Sequence, residues 1–545
     1  PLNPGFSPGS SFANNGTMSL LSHTEGGGLL LDSGDHLTNN GQLESGYTAV
    51  GAGSLLENTV SGVLRTNRVN TSLQTAPAPG TLRTLTQVNG TGLASVESLQ
   101  VLGRLANEGA WTDYGSTTVY GAVDNYGSFL STNNTALVLP APFSLPYTQQ
   151  ILIAHHPVLQ AIGPARWTNY SGSTLQLDAN TTLTNQGEFT NQGTLTVHGR
   201  FYNVPNPVPP AYAQPPTWGN GRFSNGSAQS PGQVIIGSGG QFQTGEFQAE
   251  ALTNEGSFTV LAGGRLYGGN HFINQGSAQV IVRSQGAFQP YSLDNSATLQ
   301  VDAGGYLQTT LFAQSADGMT TAAGTIEVTG ANGRLGNQGV LEIPVNGAVS
   351  SRFVDQSGGV LIVDGSLDVP GLMTHTGGVI SGNGIINGHS FTQGDVGVAS
   401  WAPGSSPGTL TIHGDMTFGD RSLVVLQAEV DGAGFLAWDH MIADRMTFLS
   451  GSVIRLALGP GTELRLGESS ELLTCTMACD FSGARFEITG ATGAQILQGA
   501  LGLTVTLAPV PEPAHWALLL AGLAMVTGFR QRGRAERTIA SPRQL

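Results

Sequence analysis

Short alternating stretches of apolar and polar residues run along most of this 545-residue chain. The segments 257–261, Ser-Phe-Thr-Val-Leu, and 277–282, Ser-Ala-Gln-Val-Ile-Val, are typical. Alternation with a period of two, rich in Val, Ile, Thr and Phe and bounded by glycine, predicts strands with one buried face. The pattern therefore predicts an all-β protein built from many short strands.

A second pattern recurs between these strands: an apolar residue, any residue, Asn, any residue, Gly. Complete copies place their asparagines at Asn14, Asn39, Asn107, Asn125, Asn185, Asn191, Asn254, Asn274 and Asn337. Relaxed copies place Asn295, Gln314, Gln356, His375 and Gln393 at the same position. Between Leu252 and Phe391 the leading apolar residues advance by about 20 residues per step, a period that indicates a solenoid.

The content of each period selects the type of solenoid. The glycine content excludes long helices, and the several leucines per period of a leucine-rich repeat are missing. We therefore predict a right-handed parallel β-helix with about 20 residues per coil. Glycine is expected to provide a positive φ at the corners. Asn254, Asn274, Asn295 and Asn337 are expected to hydrogen-bond to their equivalents one coil away, about 4.8 Å distant.

Regularity divides the chain into five predicted segments. Residues 1–139 form irregular β-helix repeats, 140–221 a proline-rich insertion or transition, and 222–390 the regular β-helix. Residues 391–509 form a β cap, which is expected because an open β-helix end exposes unpaired strand edges. Residues 510–545 form a separate C-terminal signal.

Composition narrows the chemistry. Charged residues make up only 10% of the chain, the net charge is −15, and all 21 basic residues are arginine. The absence of lysine excludes a Walker P-loop or a lysine nucleophile. An acidic body argues against nucleic acid as a partner.

Two cysteines, Cys475 and Cys479, lie four positions apart. Their spacing favours one local disulfide in an oxidising compartment over two free thiols. The chain begins without a basic and apolar leader, so a secretion signal is expected to be missing from this N-terminus.

The last 36 residues have a composition of their own. A Pro-Glu-Pro box, an uncharged apolar stretch and an arginine cluster follow one another. The box is Pro511, Glu512 and Pro513, the apolar stretch includes Trp516, Leu518, Leu519, Leu520, Leu523 and Phe529, and the basic stop is Arg530, Arg532 and Arg534. The apolar stretch is marginal for a membrane-spanning helix, which needs roughly 20 residues, and the arginines would remain on the cytoplasmic side.

This order of elements resembles the PEP-CTERM sorting signal of Gram-negative bacteria. The resemblance implies that exosortase, a membrane-embedded cysteine protease, recognises the Pro-Glu-Pro box, cleaves there and passes the protein to the surface. The inner-membrane anchor would then be transient. The extra residues 535–545 depart from the family, whose members usually end soon after the arginines.

Residues 377–460 resemble the closing region of autotransporter-type β-helix passengers and of many repeat-rich PEP-CTERM proteins. The shared features are a Gly-x-Gly coil, the turn Pro403-Gly-Ser-Ser-Pro-Gly408, and the aromatic–Asp pair Trp438-Asp439. The turn is the most specific of these features.

Catalytic and metal motifs are sparse. Acidic residues such as Asp178, Glu188, Asp294 and Asp302 form no Asp-x-Asp or Asp-Asp pair, although stacked coils could still gather acids. The pair His155-His156 precedes a proline and is expected in a surface loop. We expect no cofactor, no metal and no catalysis.

The sequence therefore predicts a secreted surface protein, adhesive or structural. Its resemblance implies exosortase as the processing partner and exopolysaccharide or other surface glycans as the environment. Two rival hypotheses stay open. One is a carbohydrate-active β-helix enzyme with a cleaving groove, and the weaker one is an ice-binding protein, for which no regular Thr-x-Thr ladder is visible.

Overall fold

The computed structural model describes residues 10–507 apart from a set of internal gaps. The gaps are 21–27, 32–33, 46, 52–54, 60, 74–86, 91–92, 102–103, 108, 120–121, 132–135, 140–165, 180–181, 186–187, 204–221, 245–251, 268, 270, 396, 405–406, 431–435, 459–468 and 490–493. The described part consists of strands and turns, and it contains no helix.

The strands wind along three faces, named A, B and C in the order in which the chain visits them. Strands confined to face A are β1 (Ser11–Asn14), β4 (His36–Asn39), β7 (Leu55–Asn58), β9 (Gln87–Gly90), β11 (Arg104–Asn107), β13 (Ala122–Asn125), β16 (Arg166–Asn169), β19 (Glu188–Asn191), β22 (Arg222–Asn225), β25 (Leu252–Asn254), β28 (Phe272–Asn274), β31 (Ser292–Asn295), β34 (Leu311–Gln314), β37 (Arg334–Asn337) and β40 (Phe353–Gln356).

Face B follows face A in each coil. Its own strands are β2 (Thr17–Leu20), β5 (Gln42–Ser45), β14 (Ser128–Ser131), β17 (Thr174–Leu177), β20 (Thr194–Val197), β23 (Gln233–Ile236), β26 (Ser257–Val260), β29 (Gln279–Val282), β32 (Thr298–Val301), β35 (Met319–Ala322), β38 (Val340–Ile343), β41 (Val360–Val363), β43 (Gly378–Gly382), β45 (Ala399–Pro403), β47 (Ser422–Val430), β50 (Val453–Leu458) and β52 (Arg485–Thr489).

Face C closes each coil. Its own strands are β3 (Gly28–Leu31), β6 (Tyr47–Gly51), β15 (Ala136–Leu139), β18 (Thr182–Asn185), β21 (Arg200–Asn203), β24 (Gln241–Thr244), β27 (Arg265–Tyr267), β30 (Ala287–Phe288), β33 (Tyr306–Thr309), β36 (Thr325–Val328) and β39 (Ala348–Ser351).

Longer strands bend around a corner and serve two faces. Faces B and C share β8 (Val63–Leu73), β10 (Leu93–Val101) and β12 (Ala110–Val119). Faces C and A share β42 (Ser366–His375), β44 (Ile385–Thr392), β46 (Thr409–Phe418), β49 (His440–Phe448) and β51 (Ser469–Asp480). The remaining strands are β48 (Leu436–Trp438), β53 (Ala494–Gly499) and β54 (Gly502–Leu507).

Each strand pairs in parallel with the strand on the same face of the next coil. For example, β28 pairs with β25 on one side and with β31 on the other. The antiparallel ladders of the described chain are β47–β48, β51–β54 and β53–β54. This pairing forms a parallel β-solenoid, so the predicted all-β parallel architecture is confirmed.

The interior is filled by alternate residues of every strand. Strands of the regular region follow a pattern in which every second side chain is buried, as in Ser257–Val260 and Thr298–Val301. Aromatic rings pack against one another in the interior. Phe201 and Phe242 stack across adjacent coils with their centroids 4.5 Å apart, and Phe272 and Phe288 meet edge to face within one coil at 4.9 Å. Burial of each such side chain contributes about 1.5–3 kcal/mol. The alternating strand residues provide this burial, so the described core is built without a helix.

Two predicted segment boundaries differ from the strand pairing. Residues 166–203 were expected in an insertion, yet β16 to β21 are ordinary coils, and β13 pairs directly with β16. The intervening residues 140–165 lie outside the described part. The expected cap from 391 onward also continues the parallel coils, since β46 pairs with β49 and β50 with β52. Within the described residues, the antiparallel strands β48, β53 and β54 depart from the coil pattern, because the chain reverses its direction there.

The corner glycines meet two different requirements, and the predicted positive φ is one of them. Gly256 follows Asn254 by two positions, and a Cβ built on it would lie 2.0 Å from the carbonyl oxygen of Gly232 in the preceding coil. Gly339 would place a Cβ 2.2 Å from the carbonyl oxygen of Gly318. Close approach between coils therefore selects glycine at these two positions, whereas positive φ applies at Gly276 (68°).

Residues 508–545 lie outside the described part, and so do the predicted hydrophobic helix, the Pro-Glu-Pro box and the arginine cluster. Within the described residues, no helix has the length and apolar character that crossing a membrane requires.

Candidate functional site

A column of side-chain amides lies inside the solenoid at the end of the face A strands. In two runs, from Asn14 to Asn58 and from Asn107 to Gln356, each side-chain N–H donates to the side-chain oxygen of the next member, so that these donors point toward the C-terminus. Gly90 holds the position between the two runs and interrupts the column. The Nδ2–Oδ1 distance is 2.8 Å both from Asn254 to Asn274 and from Asn274 to Asn295. The described members of the column are Asn14, Asn39, Asn58, Asn107, Asn125, Asn169, Asn191, Asn225, Asn254, Asn274, Asn295, Gln314, Asn337 and Gln356.

Each amide makes further bonds that fix the corner. Nδ2 of Asn274 also donates to the carbonyl oxygen of Thr298 at 2.9 Å. Oδ1 of Asn254 accepts from the backbone N–H of Gly256 at 3.2 Å, in the manner of an Asx turn. Both ends of the buried amide are thereby satisfied, as buried polar groups require.

The structure places Asn254, Asn274, Asn295 and Asn337, the four residues named from the sequence, in this column. Successive members from Asn254 to Gln356 are separated by 20, 21, 19, 23 and 19 residues, as the period predicted.

The sequence motif missed three members of the column and included one residue that lies elsewhere. Asn58, Asn169 and Asn225 lack glycine two positions later, although each follows an apolar residue by two positions, which is the signal that could have found them. Asn185 ends β18, which pairs with β21 on face C. Two copies only six residues apart, at Asn185 and Asn191, cannot belong to one column.

The amide column changes character at its C-terminal end. His375 occupies the position after Gln356, and its Nε2 lies 3.3 Å from the carbonyl oxygen of Gly378. Burial lowers the pKa of His375 to about 4, and its Nδ1 has no hydrogen-bond partner in the described part of the chain. The ring packs edge-on against Trp401, with centroids 5.7 Å apart.

The next position was predicted one residue too far along. Thr392, not Gln393, pairs with His375, and Phe391 points outward with 36% exposure. The β42–β44 ladder skips two residues of β42 between Val369 and Leu372, so this coil has 17 residues from His375 to Thr392, one fewer than the step of 18 from Met373 to Phe391 that the sequence motif assumed. A one-residue shift moves a side chain to the opposite face of a sheet. Beyond Thr392 the position holds Phe418 and Phe448, stacked at 4.4 Å.

Cys475 and Cys479 form a disulfide within β51. Their backbone N–H groups donate to the carbonyl oxygens of Leu501 and Ala500, at 2.7 and 2.8 Å. The β53–β54 hairpin turn is therefore fixed against the disulfide-closed corner.

The aromatic–Asp pair of the C-terminal region has a structural role. Asp439 is buried, and its carboxylate accepts from the backbone N–H of Gly408 at 3.1 Å and of Gln427 at 2.9 Å. It thereby joins the end of the Pro-Gly-Ser-Ser-Pro-Gly turn to β47.

The outward side of face C carries a column that the sequence did not reveal. We name it the tyrosine–glutamine strip, and it consists of Tyr202, Gln243, Tyr267, Gln289, Gln308 and Glu327. Strand register aligns Tyr202 with Gln243, Gln243 with Tyr267, and Gln308 with Glu327. All six side chains are partly exposed. Members are 19 to 41 residues apart in sequence, so only the register brings them together.

Hydrogen bonds organise the strip and its flank. Gln289 Nε2 donates to Gln308 Oε1 at 3.1 Å. The flanking Tyr306 donates its hydroxyl to Glu327 at 2.7 Å, and the flanking Arg265 donates to the Tyr267 hydroxyl at 3.2 Å. Partial burial, with the hydrogen bond to Glu327, raises the pKa of Tyr306 to about 12, so this hydroxyl keeps its proton.

Several acidic residues considered from the sequence are engaged with neighbours. Asp294 pairs with His271 at 2.6 Å, and Asp302 pairs with Arg283 at 2.9 Å. Asp178 accepts from Gln176 at 2.9 Å. His155 and His156 lie outside the described residues, and no group of three or more His, Cys, Asp or Glu within the described ranges could hold a metal ion.

No protein-family model and no curated protein matches the sequence. Among solved structures, the chain is similar to the crystal structure of a TibC-catalysed, hyper-glycosylated TibA fragment at 15% identity. The alignment covers 68% of this chain and 98% of that one, with a TM-score of 0.27. The strand pairing of this chain, and not that likeness, defines its fold.

Proposed function

We propose that this protein is a secreted, non-catalytic surface protein with a structural or adhesive role in an extracellular polysaccharide matrix. The observation that carries the proposal is the repeated coil with its internal amide column. Each coil adds about 4.8 Å of length, and donor–acceptor bonds between side-chain amides join successive coils from Asn107 to Gln356. Such a scaffold presents long polar faces that are built by repeating one short sequence pattern.

The direction of winding belongs to the same proposal. We assign a right-handed β-helix, because crossovers between parallel strands have that hand in about 98% of cases.

The C-terminal segment supports the route by which the protein would reach the surface. Its Pro-Glu-Pro box, apolar stretch and arginines match the order of a PEP-CTERM signal. Exosortase would cleave at the box in the inner membrane of a Gram-negative bacterium, and the body would continue to the outer surface. A disulfide between Cys475 and Cys479 suits such an oxidising destination.

Replacement of Pro511, Glu512 and Pro513 by alanine tests the sorting step in a host that contains exosortase. We expect the variant to remain in the inner membrane with its C-terminus intact, while the wild-type protein appears outside the cell without it. Mass spectrometry of both fractions measures the difference. Alanine replacement of Ser541, Pro542 and Arg543, beyond the arginine cluster, is the matched control. Equal surface release of both variants would refute exosortase sorting.

The non-catalytic part of the proposal has a separate test. The purified full chain is incubated with neutral and acidic polysaccharides, and reducing ends and unsaturated uronates are measured. We expect neither to accumulate. Accumulation of either product would show instead that the chain is a polysaccharide hydrolase or lyase.

A further inference from the structure

We propose that the tyrosine–glutamine strip binds an uncharged polysaccharide, whose chain lies across the strands and along the solenoid axis. This inference rests on the proposed function, because it names the surface through which a matrix protein would hold its polymer.

The geometry of the strip suits a polymer of sugar rings. Tyr202 and Tyr267 belong to one column and are separated by two coils, which corresponds to about 10 Å. A pyranose ring presents C–H groups on one face, and a tyrosine ring offers an apolar surface with a polar edge. The two rings can therefore each support a sugar, with Gln243 between them at the next register position.

Amide side chains supply the partners for hydroxyl groups. Gln243, Gln289 and Gln308 each carry a donor and an acceptor, and a sugar hydroxyl is also both. The Gln289–Gln308 hydrogen bond leaves the second N–H of Gln289 and a lone pair of Gln308 Oε1 for a ligand. A column of glutamines can thus accept hydrogen bonds from sugar hydroxyls and donate hydrogen bonds to them, without a buried charge.

The platform beneath the strip is rigid, which lowers the entropic cost of binding. Phe201, Phe242, Leu266, Phe288 and Leu307 alternate with the strip and are fully buried. The outward side chains therefore stand on a packed layer of aromatic and aliphatic residues.

Charge favours a neutral ligand. The flank contributes Arg200 and Arg265, while the strip itself ends in Glu327. The whole chain carries a net charge of −15, which repels an anionic polymer at long range. A ligand with a carboxylate on every sugar would need a row of cations, and the strip offers amides and phenols in those positions.

The face itself provides an internal comparison. Further along the same outward columns stand Ala348, Ser350, Ser366 and Asp368, which include no aromatic ring. Sugar binding should therefore be confined to the coils between β21 and β36.

Native electrophoresis of the purified full chain in gels that contain a soluble polymer tests the inference. Hydroxyethylcellulose, galactomannan and dextran serve as neutral probes, and alginate serves as the acidic probe. We expect at least one neutral polymer to slow the wild-type protein. The double variant Tyr202→Ala/Tyr267→Ala should raise the apparent Kd about tenfold, because two ring contacts are lost.

Two further variants separate stacking from general damage. Tyr202→Phe/Tyr267→Phe keeps the rings and should keep most of the retardation. Tyr126→Ala removes a tyrosine of 41% exposure at a different corner and should leave the retardation unchanged. Circular dichroism confirms that all variants are folded.

The inference is overturned if no neutral polymer slows the wild-type protein, if only alginate does, or if the alanine double variant migrates like the wild type. These outcomes are distinct from failure of the proposed function. A protein that reaches the surface but binds no neutral polymer contradicts only the strip, whereas one that binds the polymer but never leaves the inner membrane contradicts only the proposed function.

Discussion

At the scale of single residues, the solenoid depends on buried amides that have no solvent to replace a lost partner. Asn254, Asn274 and Asn295 are at most 1% exposed, and each donates forward and accepts from behind. A buried donor left without an acceptor costs about 1–3 kcal/mol. Loss of one asparagine therefore leaves an unpaired polar group in the coil on each side of it.

Asn274→Ala should lower the free energy of unfolding by at least about 2 kcal/mol. The variant leaves Asn254 Nδ2 without its acceptor and Asn295 Oδ1 without its donor. Urea unfolding followed by circular dichroism measures the loss. Thr253→Ala, on an outward position of the neighbouring coil, is the matched control and should stay within about 0.5 kcal/mol of the wild type. Equal stability of the two variants would show that the column contributes nothing.

His375 makes the stability depend on pH. Because burial lowers its pKa in the folded state from 6.5 to about 4, the unfolded chain binds more protons between those values. Stability is therefore greatest above pH 6.5 and decreases as the pH falls toward 4, by about 3 kcal/mol in total.

His375→Gln should remove this part of the pH dependence, because glutamine occupies the same column position at Gln314 and Gln356. Urea unfolding of wild type and variant at pH 7 and pH 4.5 gives the loss of stability on acidification for each protein. The contribution of the carboxylates is the same in both, so it cancels when the two losses are subtracted. A variant that loses as much stability on acidification as the wild type contradicts the assignment.

At the scale of elements, the alternation of the sequence was sufficient to predict strands, their parallel stacking and the 20-residue period, because those follow from local composition and spacing. It was insufficient where two coils differ in length. Phe391 was assigned to the interior because it follows Met373 by 18 residues, and only the pairing of β44 with β42 shows the shift. The tyrosine–glutamine strip was also missed. Tyr202 and Tyr267 form no local motif, and only the strand register brings them into one column.

The register of β44 can be tested with two neighbouring substitutions. Phe391→Asp should change the free energy of unfolding by less than about 1 kcal/mol, since the side chain is outward. Ser390→Asp should cost about 3 kcal/mol or more, because it places an unpaired carboxylate in the interior. Thermal unfolding of both variants measures the contrast. If Phe391→Asp were the more destabilising of the two, Phe391 would face the interior, as the sequence motif predicted.

At the scale of the whole molecule, stability is expected to be nearly a sum over coils and their interfaces, as in other repeat proteins. Each coil of the regular region places apolar residues at the same inward positions. If one coil is deleted, the two coils on either side of it can therefore pair with each other. Removal of residues 255–274 joins Asn254 to Gln275 and brings β25 next to β31, β23 next to β29, and β24 next to β30. The side chains at all three new interfaces remain in register.

This deletion should give a folded protein shorter by about 5 Å, with the circular dichroism spectrum of the wild type. Removal of residues 255–264, half a coil, should instead destroy cooperative unfolding, because the inward residues of one face would then follow the wrong corner. Small-angle scattering measures the length, and thermal unfolding measures the cooperativity. If both deletions unfold alike, interactions beyond nearest neighbours hold the solenoid together, and the coil is not its unit of stability.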